Sequence, residues 1–567
     1  MKKRLAFGLS IFISTVLLFS GCSSSTQETT SNESATETTE STESTQEETK
    51  EVEGTADSQA HMDAATAGAE VTVANGEGAG RDSLNFIVLT EPLTLEPGGL
   101  SSTDSNVRPI IVQVYETLVR ESPTDRTVLQ PLLCEGWEFN DEGTQVTFEI
   151  KQGVKFHDGT EMTAEDVAYS LNRSINLPTN VDISDMMENA EVVDDTHVVL
   201  NLSYPYSPVV NILTNPGFSI VSQAYIEQCE ADGTNFGRNP MGTGAYKFVS
   251  WTNGANIKFE SFDEWHGGEV AIPNLTYTFI ADTTTAAIAL ENGDGDLFYG
   301  VDSADLPRLR ANPDVNVMSV QSSGFYFVAL NTRVEALSDI RVRQAIAKAI
   351  NRQEVIDGGQ DGVGWTVECP ITPGIFGYQE EFKATPQDIE GAKQLLADAG
   401  YADGLTLTMI TPEASYYSRP AQVVQEQLRQ IGIDCQLTIM ERGAFDTDVS
   451  NREFELCYTW YGASYPDADN IVYKMFHSDF ADGTGTTNIA GVKSEEADRI
   501  IEDARRSIDQ DVRYELYGEL SAINDENAWY IPILCSTNTI CASAEVGGVA
   551  GNAGSYYYVA DYTFEAE

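Results

Sequence analysis

The sequence predicts an α/β protein, because short apolar strands alternate along it with amphipathic helices. The stretch from about residue 83 to residue 567 is too long for one comfortable hydrophobic core and suits two or three lobes. No period of about 20 to 50 residues indicates a repeat array. Together these observations predict an α/β protein with several lobes.

The amino terminus has the pattern of an export signal. Three basic residues at positions 2–4 precede one apolar run over residues 5–19, which is slightly short for a helix that must cross about 30 Å of hydrocarbon. Two small residues then lead into Cys22, as in a bacterial lipobox, although Phe19 stands where Leu is usual. We expect a signal peptide at residues 1–21 and a lipid on Cys22 that anchors the chain to the membrane. An ordinary signal-peptidase cut beside an unmodified Cys22 is the alternative.

Residues 22–82 consist mainly of Ser, Thr, Glu, Ala and Gly. Such a segment buries too little apolar surface to offset chain entropy, so it is predicted to be a disordered acidic tether. Of the formal net charge of -55, residues 1–21 carry +3 and residues 22–82 carry -12, so residues 83–567 carry the other -46. An acidic surface repels phosphate backbones, which argues against a nucleic-acid partner and for simple solubility at a cell surface.

Individual elements can be located by their hydrophobic periodicity. Five short runs that are apolar or alternating, and bounded by turn residues, are predicted strands: residues 84–89, 146–150, 197–202, 257–261 and 405–410. Four amphipathic runs are predicted helices: residues 341–350, 388–399, 418–430 and 495–508. Gly400 and Gly432 follow the second and third of these helices, as glycine commonly does at a helix end.

The cysteines do not have the spacing of a metal or redox site. Apart from Cys22, seven remain, which cannot all pair: Cys134, Cys229, Cys369, Cys435, Cys457, Cys535 and Cys541. They are scattered and mostly lie in apolar surroundings, so we predict small buried side chains. A bridge between Cys535 and Cys541 stays open.

No motif in the sequence supports catalysis. His157, Asp158 and Gly159 predict a hairpin turn, since the chain has only five His residues and none lies in an HExxH motif. The glycine-rich residues 242–244 lack the Lys of a phosphate loop. Residues 467–472 begin like a calcium loop but lack its later ligand and its Gly. We therefore expect no enzymatic activity, no metal and no cofactor.

Five blocks of sequence follow the pattern of one protein family. Residues 148–160 read FEIKQGVKFHDGT and residues 163–167 read TAEDV, close to the signature F-x-L-R-x-G-V-K-F-H-D-G-x-x-x-T-A-x-D-V. Shorter matches are VYETL at 114–118, LQPL with GWE at 129–138, NPMGTGAY at 239–246 and DIRVRQA at 339–345. The chain thus resembles the peptide-class (family 5) extracellular solute-binding proteins of ABC importers over nearly all of residues 84–535.

That resemblance implies a periplasmic-binding-protein-like, two-lobed clamp of type II, in the large peptide-binding class with an extra inserted domain. The implied divisions are domain I at 83–127, 233–329 and 533–567, domain II at 128–232, and domain III at 330–532. Hinges between the lobes are expected near residues 329–332 and 531–534. A ligand that touches both lobes favours the closed state. We expect a monomer at the outer face of the cell membrane, periplasmic or cell-surface, that delivers an unaltered small solute to ABC permease subunits.

The ligand depends on one segment. In the family's peptide binders, an Asp within W-x-x-D-Y-P-D-P holds the ligand's ammonium, since a buried cation needs a carboxylate. Here residues 460–470 read WYGASYPDADN, and alignment places uncharged Ser464 or Ala463 at that position. Asp467 or Asp469 is an alternative, although the family more often uses those positions to hold the loop. We predict a small peptide or peptide-like ligand. Glutathione, an oligosaccharide or a nickel complex is an alternative ligand for the same transport role. A surface receptor or a chaperone that works without a permease is an alternative function.

Other candidate ligand contacts are aromatic rings, the end of the first strand and two helical arginines. Aromatic rings can stack on a sugar or pack on peptide side chains, and equally can be core residues; strand ends at a cleft commonly carry ligand contacts. Arginine can hold a ligand carboxylate as a fork, or simply face solvent. These candidates are Trp460, Tyr461 and Tyr465, then Thr90 and Glu91, then Arg419 and Arg442.

Overall fold

A computed structural model describes residues 71–99, 104–485 and 487–566. All of these residues fall within one compact unit. They form sheets of seven, six, four and two strands, with helices packed against the larger sheets. This mixture of mostly interspersed helices and strands confirms the predicted α/β class.

Strands and helices alternate through most of the described chain. The strands are β1 (Ser83–Val88), β2 (Val119–Glu121), β3 (Leu129–Pro131), β4 (Cys134–Phe139), β5 (Gln145–Ile150), β6 (Met187–Asp194), β7 (His197–Leu202), β8 (Tyr246–Thr252), β9 (Asn256–Ser261), β10 (Asn274–Phe279), β11 (Leu297–Tyr299), β12 (Val315–Gln321), β13 (Gly324–Leu330), β14 (Trp365–Thr366), β15 (Leu405–Pro412), β16 (Ile433–Met440), β17 (Leu456–Gly462), β18 (Tyr530–Cys535) and β19 (Thr537–Ser543). The α-helices are α1 (Arg108–Val114), α2 (Ala164–Ile175), α3 (Val181–Ser184), α4 (Val209–Ile212), α5 (Gln223–Asp232), α6 (Thr283–Glu291), α7 (Leu306–Arg310), α8 (Glu335–Ser338), α9 (Ile340–Ala349), α10 (Arg352–Gly359), α11 (Ile389–Asp398), α12 (Ser415–Gln430), α13 (Arg442–Asn451), α14 (Asp469–Phe476), α15 (Glu495–Arg506) and α16 (Gln510–Asn527).

The predicted elements are present, with ends that differ by up to three residues. In β7, Val198, Leu200 and Leu202 are buried while the residues between them are partly exposed, as the alternation in the sequence predicts. Helix α15 begins after Ser494, whose hydroxyl accepts a hydrogen bond from the amide of Ala497. The periodic signal therefore located both kinds of element.

Three sheets organise the chain. The seven-stranded sheet has the order β12-β19-β11-β1-β10-β9-β8, and β1 runs parallel to both of its neighbours. The six-stranded sheet has the order β14-β18-β13-β17-β15-β16, with β15 parallel to β16 and β17. The four-stranded sheet, β4-β5-β7-β6, is antiparallel throughout.

The chain passes directly between the seven-stranded and six-stranded sheets at two points. Residues 322–323 join β12 to β13, and Ser536 joins β18 to β19. Most of the residues expected to form the hinges, 329–332 and 531–534, lie inside β13 and β18, and their role as hinges stays a prediction. The predicted domain boundaries at 329/330 and 532/533 fall inside these two strands and stay predictions as well. The two crossings lie side by side, since Ser322 N donates to Ser536 O over 2.9 Å.

Part of the predicted tether is ordered. Thr72 N donates to Val549 O, and its hydroxyl donates to Val546 O, each over 2.9 Å. Arg81 pairs with both Asp296 and Glu545, at 2.7 Å each. The prediction of disorder is therefore wrong for residues 71–82, because these long-range partners supply the order that the local composition lacks. The signal peptide, Cys22 and the tether up to residue 70 lie outside the described residues.

The cysteines are buried, as predicted. All seven that the structure describes are free thiols, so the bridge that stayed open between Cys535 and Cys541 is not formed. Burial raises the pKa of both thiols to about 12. They are small packing residues.

The segment at His157 forms the predicted turn. Gly159 has a φ of +87°, and Thr160 N donates to the Asp158 carboxylate over 2.9 Å. The His157 ring lies across to the other glycine-rich turn, where Nε2 donates to Gly244 O over 2.8 Å. Burial lowers the pKa of His157 to about 4. The ring therefore stays neutral and joins two turns.

The burial of the neutral His157 ring predicts that the free energy of unfolding falls in acid. The folded pKa lies below the ordinary value of 6.5, so the stabilisation is complete above pH 6.5 and is lost as the pH falls towards 4. We expect His157→Gln to be less stable at pH 7 but to lose about 1 to 3 kcal/mol less than wild type between pH 7 and pH 4. Denaturant unfolding across this range measures it. His197→Gln, at a more exposed ring, is the control, and parallel curves for wild type and His157→Gln would contradict the interpretation.

Candidate functional site

A cavity of about 330 Å³ lies on the six-stranded sheet, between α13 and the end of β17. Arg442 and Asp446 of α13 line one side. Trp460 and Tyr461 of β17 line another, and Phe327 of β13 lies among the apolar lining residues. Its size and its mixture of aromatic and charged groups suit a small organic ligand.

Trp460 forms a flat aromatic wall. Its indole lies against Gly324 and Gly462, where an added Cβ would come within 2.2 Å and 2.5 Å of the ring. Only glycine permits this approach. The side chain nevertheless stays 42% exposed. Gly324 immediately follows the first crossing between sheets, so the exposed ring lies next to that crossing.

The charged groups of this cavity form a single ion pair on one helix. Arg442 Nε donates to both carboxylate oxygens of Asp446 over 2.9 Å, at the (i, i+4) spacing. A long contact of 3.4 Å joins Arg442 Nη1 to the hydroxyl of Tyr417. The two charged side chains remain 58% and 42% exposed. One cation and one anion are thus presented together to anything that enters the cavity.

The loop after β17 is anchored by internal hydrogen bonds. Ser464 N donates to Asn470 Oδ1 over 2.8 Å. The fully buried Asp467 accepts a hydrogen bond from Arg513 Nη2 of α16 over 2.7 Å. The carboxylate of Asp467 is therefore neutralised inside the protein, where a ligand ammonium would have to displace Arg513.

Asp469 occupies a different environment. Its Oδ2 accepts a hydrogen bond of 2.5 Å from the hydroxyl of Tyr206, and its Oδ1 lies 3.4 Å from Arg505 Nε of α15. Burial raises the pKa of Asp469, and Arg505 offsets only part of that rise. Tyr465 lies 3.2 Å from Tyr206, hydroxyl to hydroxyl. Tyr206 follows β7, so this cluster joins the four-stranded sheet to the six-stranded sheet.

A second cavity, of about 480 Å³, lies at this junction. Asp469, Arg505, Tyr206 and Tyr465 line it, and Thr487 lines both this cavity and the first. The two cavities are therefore neighbours along one wall.

The remaining predicted contacts lie outside these two linings. Glu91 accepts a hydrogen bond from Trp251 Nε1 over 2.8 Å, within the region of the seven-stranded sheet. Thr90 beside it is exposed. Arg419 forms an exposed ion pair with Asp361 at 2.5 Å. Their roles in ligand binding stay predictions, and the structure brings none of the three together with Trp460.

Four residues that line the cavities or hold the adjoining carboxylates were not recognised from the sequence. Asp446 could have been predicted from the sequence, because it stands one helical turn after the candidate residue Arg442. The others pair over long sequence separations that no local pattern reveals, as with Asp467 and Arg513, which are 46 positions apart. These four residues are Tyr206, Asp446, Arg505 and Arg513.

Comparison with known families gives the decisive match. The profile described as "Bacterial extracellular solute-binding proteins, family 5 Middle" matches residues 128–483, which is more than half of the chain. The chain belongs to this family. The resemblance drawn from the sequence blocks is thereby confirmed.

Relatives of this family-5 protein bind different solutes. "Heme-binding protein A" of Haemophilus influenzae is 26% identical over 463 residues, covering 77% of this chain and 84% of the relative. "Glutathione-binding protein GsiB" of Salmonella typhi is 27% identical over 413 residues, covering 71% and 80%. The solved structure of HbpA2 from Haemophilus parasuis superimposes with a TM-score of 0.78 at 25% identity, covering 85% of this chain and 99% of that one. The fold is therefore that of the family's two-lobed binding proteins.

The described residues of this family-5 protein offer neither a membrane-spanning helix nor a cluster of metal ligands. Among them, no helix combines the length and apolar character that a membrane span needs. No group of three or more His, Cys, Asp or Glu side chains in the same residues is placed to hold a metal ion.

Because Asp467 and Arg513 form a buried ion pair, removing the arginine alone should destabilise the protein, and removing the aspartate charge as well should restore most of the lost stability. We expect Arg513→Gln to lower the free energy of unfolding by about 3–5 kcal/mol, because it leaves a buried carboxylate without its cation. Adding Asp467→Asn to the same chain removes that charge and restores most of the loss. Denaturant unfolding of the two variants measures the effect; a double variant as unstable as Arg513→Gln alone would show that the pairing is not the cause.

Proposed function

We propose that this protein captures a small peptide or peptide-like solute and delivers it, chemically unaltered, to the permease subunits of an ABC importer. The single observation that carries the proposal is the Arg442–Asp446 ion pair in the wall of the 330 Å³ cavity. A peptide carries a carboxylate, which can replace Asp446 as the partner of Arg442.

Exchange of this ion pair for ligand contacts is energetically reasonable. Exposed ion pairs stabilise a protein by only about 0–1 kcal/mol, so separating Arg442 from Asp446 costs little free energy. A guanidinium binds a carboxylate through two parallel hydrogen bonds. Enclosure by the lobes strengthens such contacts, because water that would screen them is excluded. Arg442 is thus suited to exchange Asp446 for a ligand carboxylate.

Trp460 supports the same assignment. Its exposed ring offers a large apolar surface to the ligand's side chains at little entropic cost, since the glycines beneath it fix its position. Ser464 carries no charge and is bonded to Asn470. The charge recognition therefore falls to α13 instead of the position used by the family's peptide binders.

Membrane attachment through Cys22 is part of the proposal. The lipobox-like sequence supports removal of residues 1–21 and diacylation of Cys22, which holds the protein at the outer membrane face. Intact-mass measurement of the protein extracted from bacterial membranes should give a chain that begins at a lipid-modified Cys22. Cys22→Ser should release the protein into the medium or periplasm; an unmodified Cys22 in the wild type would contradict the anchor.

The ligand assignment is tested by competition among solute classes. Native mass spectrometry of the purified protein with a pool of di- to tetrapeptides, glutathione, an oligosaccharide, nickel–histidine and haemin should show the peptides or glutathione bound. Arg442→Gln should weaken the selected peptide about ten-fold or more, because one charge-assisted contact is lost. Retention of haemin, the sugar or nickel alone would contradict a peptide-like cargo.

The chain offers a matched control for this test. Arg499 and Asp503 form an (i, i+4) pair on α15 with both side chains 56% exposed. Arg499→Gln changes net charge as Arg442→Gln does, at a similarly exposed helical pair away from the cavity. We expect no change in affinity for this control. Equal losses in the two variants would indicate a general charge effect and would remove α13 from the binding site.

A further inference from the structure

The two buried Asp–Arg pairs at Asp467 and Asp469 differ in how their arginines are satisfied, although Asp467 Oδ2 and Asp469 Oδ1 both lack a hydrogen-bond partner among the described residues. All three guanidinium nitrogens of Arg513 donate hydrogen bonds, to Ala504 O, Gln510 Oε1 and Asp467 Oδ1. Arg505 is also only 5% exposed, and its Nη2 donates to the hydroxyl of Tyr204 over 3.1 Å. Its Nη1, however, has no hydrogen-bond partner among the described residues.

Asp469 has the complementary deficit. It is 2% exposed, and its Oδ1 has no hydrogen-bond partner within the described part of the chain, although Arg505 Nε lies 3.4 Å away. A buried donor and a buried acceptor that lack partners are each costly, by about 1–3 kcal/mol. Finding both on one ion pair, beside a cavity that both residues line, points to a group that satisfies them together.

The charged residues that line the second cavity limit the chemical class of the group that could bind there. Asp185 and Lys474 also line the cavity, so its charged lining contains two acidic and two basic side chains. A lone anion would satisfy Arg505 Nη1 but leave Asp469 Oδ1 without a partner, and a lone cation would do the reverse. At about 480 Å³ the cavity is far larger than the roughly 30 Å³ of a water molecule. The lining therefore suits an organic zwitterion.

We propose that this second cavity is a subsite for an α-amino acid head group, in which one carbon carries both an ammonium and a carboxylate. The ammonium faces Asp469 Oδ1 and the carboxylate faces Arg505 Nη1. This inference rests on the proposed function and deepens it: the ammonium of the captured solute and the carboxylate on the same carbon lie here, and a second carboxylate at the solute's other end lies beside Arg442 and Trp460. Thr487, which lines both cavities, marks the path between them.

The geometry also gives the four-stranded sheet a part in binding. Tyr206 lines the cavity and donates to Asp469 Oδ2. Arg505 lies with its guanidinium carbon 3.3 Å from the centre of the Tyr473 ring and 5.2 Å from that of Tyr206. A head group bound by Asp469 and Arg505 therefore lies between Tyr206, next to the four-stranded sheet, and Tyr473, next to the six-stranded sheet. These rings exclude water from the charged contacts.

Two isomeric dipeptides test this subsite. γ-Glutamyl-alanine and α-glutamyl-alanine have the same composition and net charge, but only the γ isomer keeps an ammonium and a carboxylate on one carbon. Isothermal titration should give a wild-type preference of about ten-fold or more for the γ isomer, the gain of one charge-assisted contact.

The variants separate this cavity from its neighbour. Arg505→Gln combined with Asp469→Asn removes both charges, so no buried charge is left alone; the γ preference should vanish. Arg513→Gln combined with Asp467→Asn is the matched control in the same loop and should keep it. Arg505→Lys is a second variant that retains a cation for Asp469 but not the fork, and should reduce the preference.

Each outcome decides the matter. Equal binding of the isomers to wild type, or a γ preference that survives in Arg505→Gln/Asp469→Asn, overturns the subsite while leaving a peptide-like cargo intact. A preference lost equally in the Arg513→Gln/Asp467→Asn control also overturns it, since the effect then belongs to the loop as a whole. Absence of binding by both isomers, alongside binding of other peptides from the pool, rejects the head-group subsite alone. Absence of all peptide-like binding rejects the proposed function with it.

Discussion

Two buried carboxylates, one in the loop after β17 and one at the first residue of α14, constrain the architecture around the cavities. Asp467 and Asp469 are nearly inaccessible to solvent, and each meets an arginine from a later helix, Arg513 and Arg505 respectively. A buried charge without a partner costs several kcal/mol, so the loop must hold the position in which both pairs form. That position fixes the end of β17, the start of α14 and the packing of α15 and α16 against them.

The cavities follow from this constraint. Trp460 lies near the end of β17, just before the loop that Asp467 anchors. Its ring lies over Gly324, the first residue of β13 after the first crossing between sheets. The loop itself carries Tyr465 and Asp469 to Tyr206 of the neighbouring region. One loop therefore links the six-stranded sheet, the four-stranded sheet and the crossing. A solute that contacts both lobes favours the closed state by the free energy of those contacts, which is the closure that the proposed function requires.

Local patterns in the sequence predicted the elements but not their long-range partners. The strand at 197–202 alternates and the helix at 495–508 repeats its apolar residues, so both were found from periodicity. The crossings between the two larger sheets were not located from the sequence, because β13 is buried at every residue and short polar segments such as residues 322–323 and 536 occur throughout the chain. Asp467 and Asp469 look equivalent in sequence, since the arginines that distinguish them lie tens of residues away. Residues 71–82 resemble a disordered segment until their partners near residues 545–549 are known.

Closure requires that solute draws the two main sheets together. Val249 on the edge strand β8 and Ile439 on the edge strand β16 are both well exposed, and the described native thiols are buried. Cysteines introduced at these two positions and spin-labelled would report the distance between the sheets. We expect the selected solute to shorten and narrow this distance distribution, and removal of the solute to restore the original one. A distribution unchanged by a solute that calorimetry shows to be bound would contradict closure.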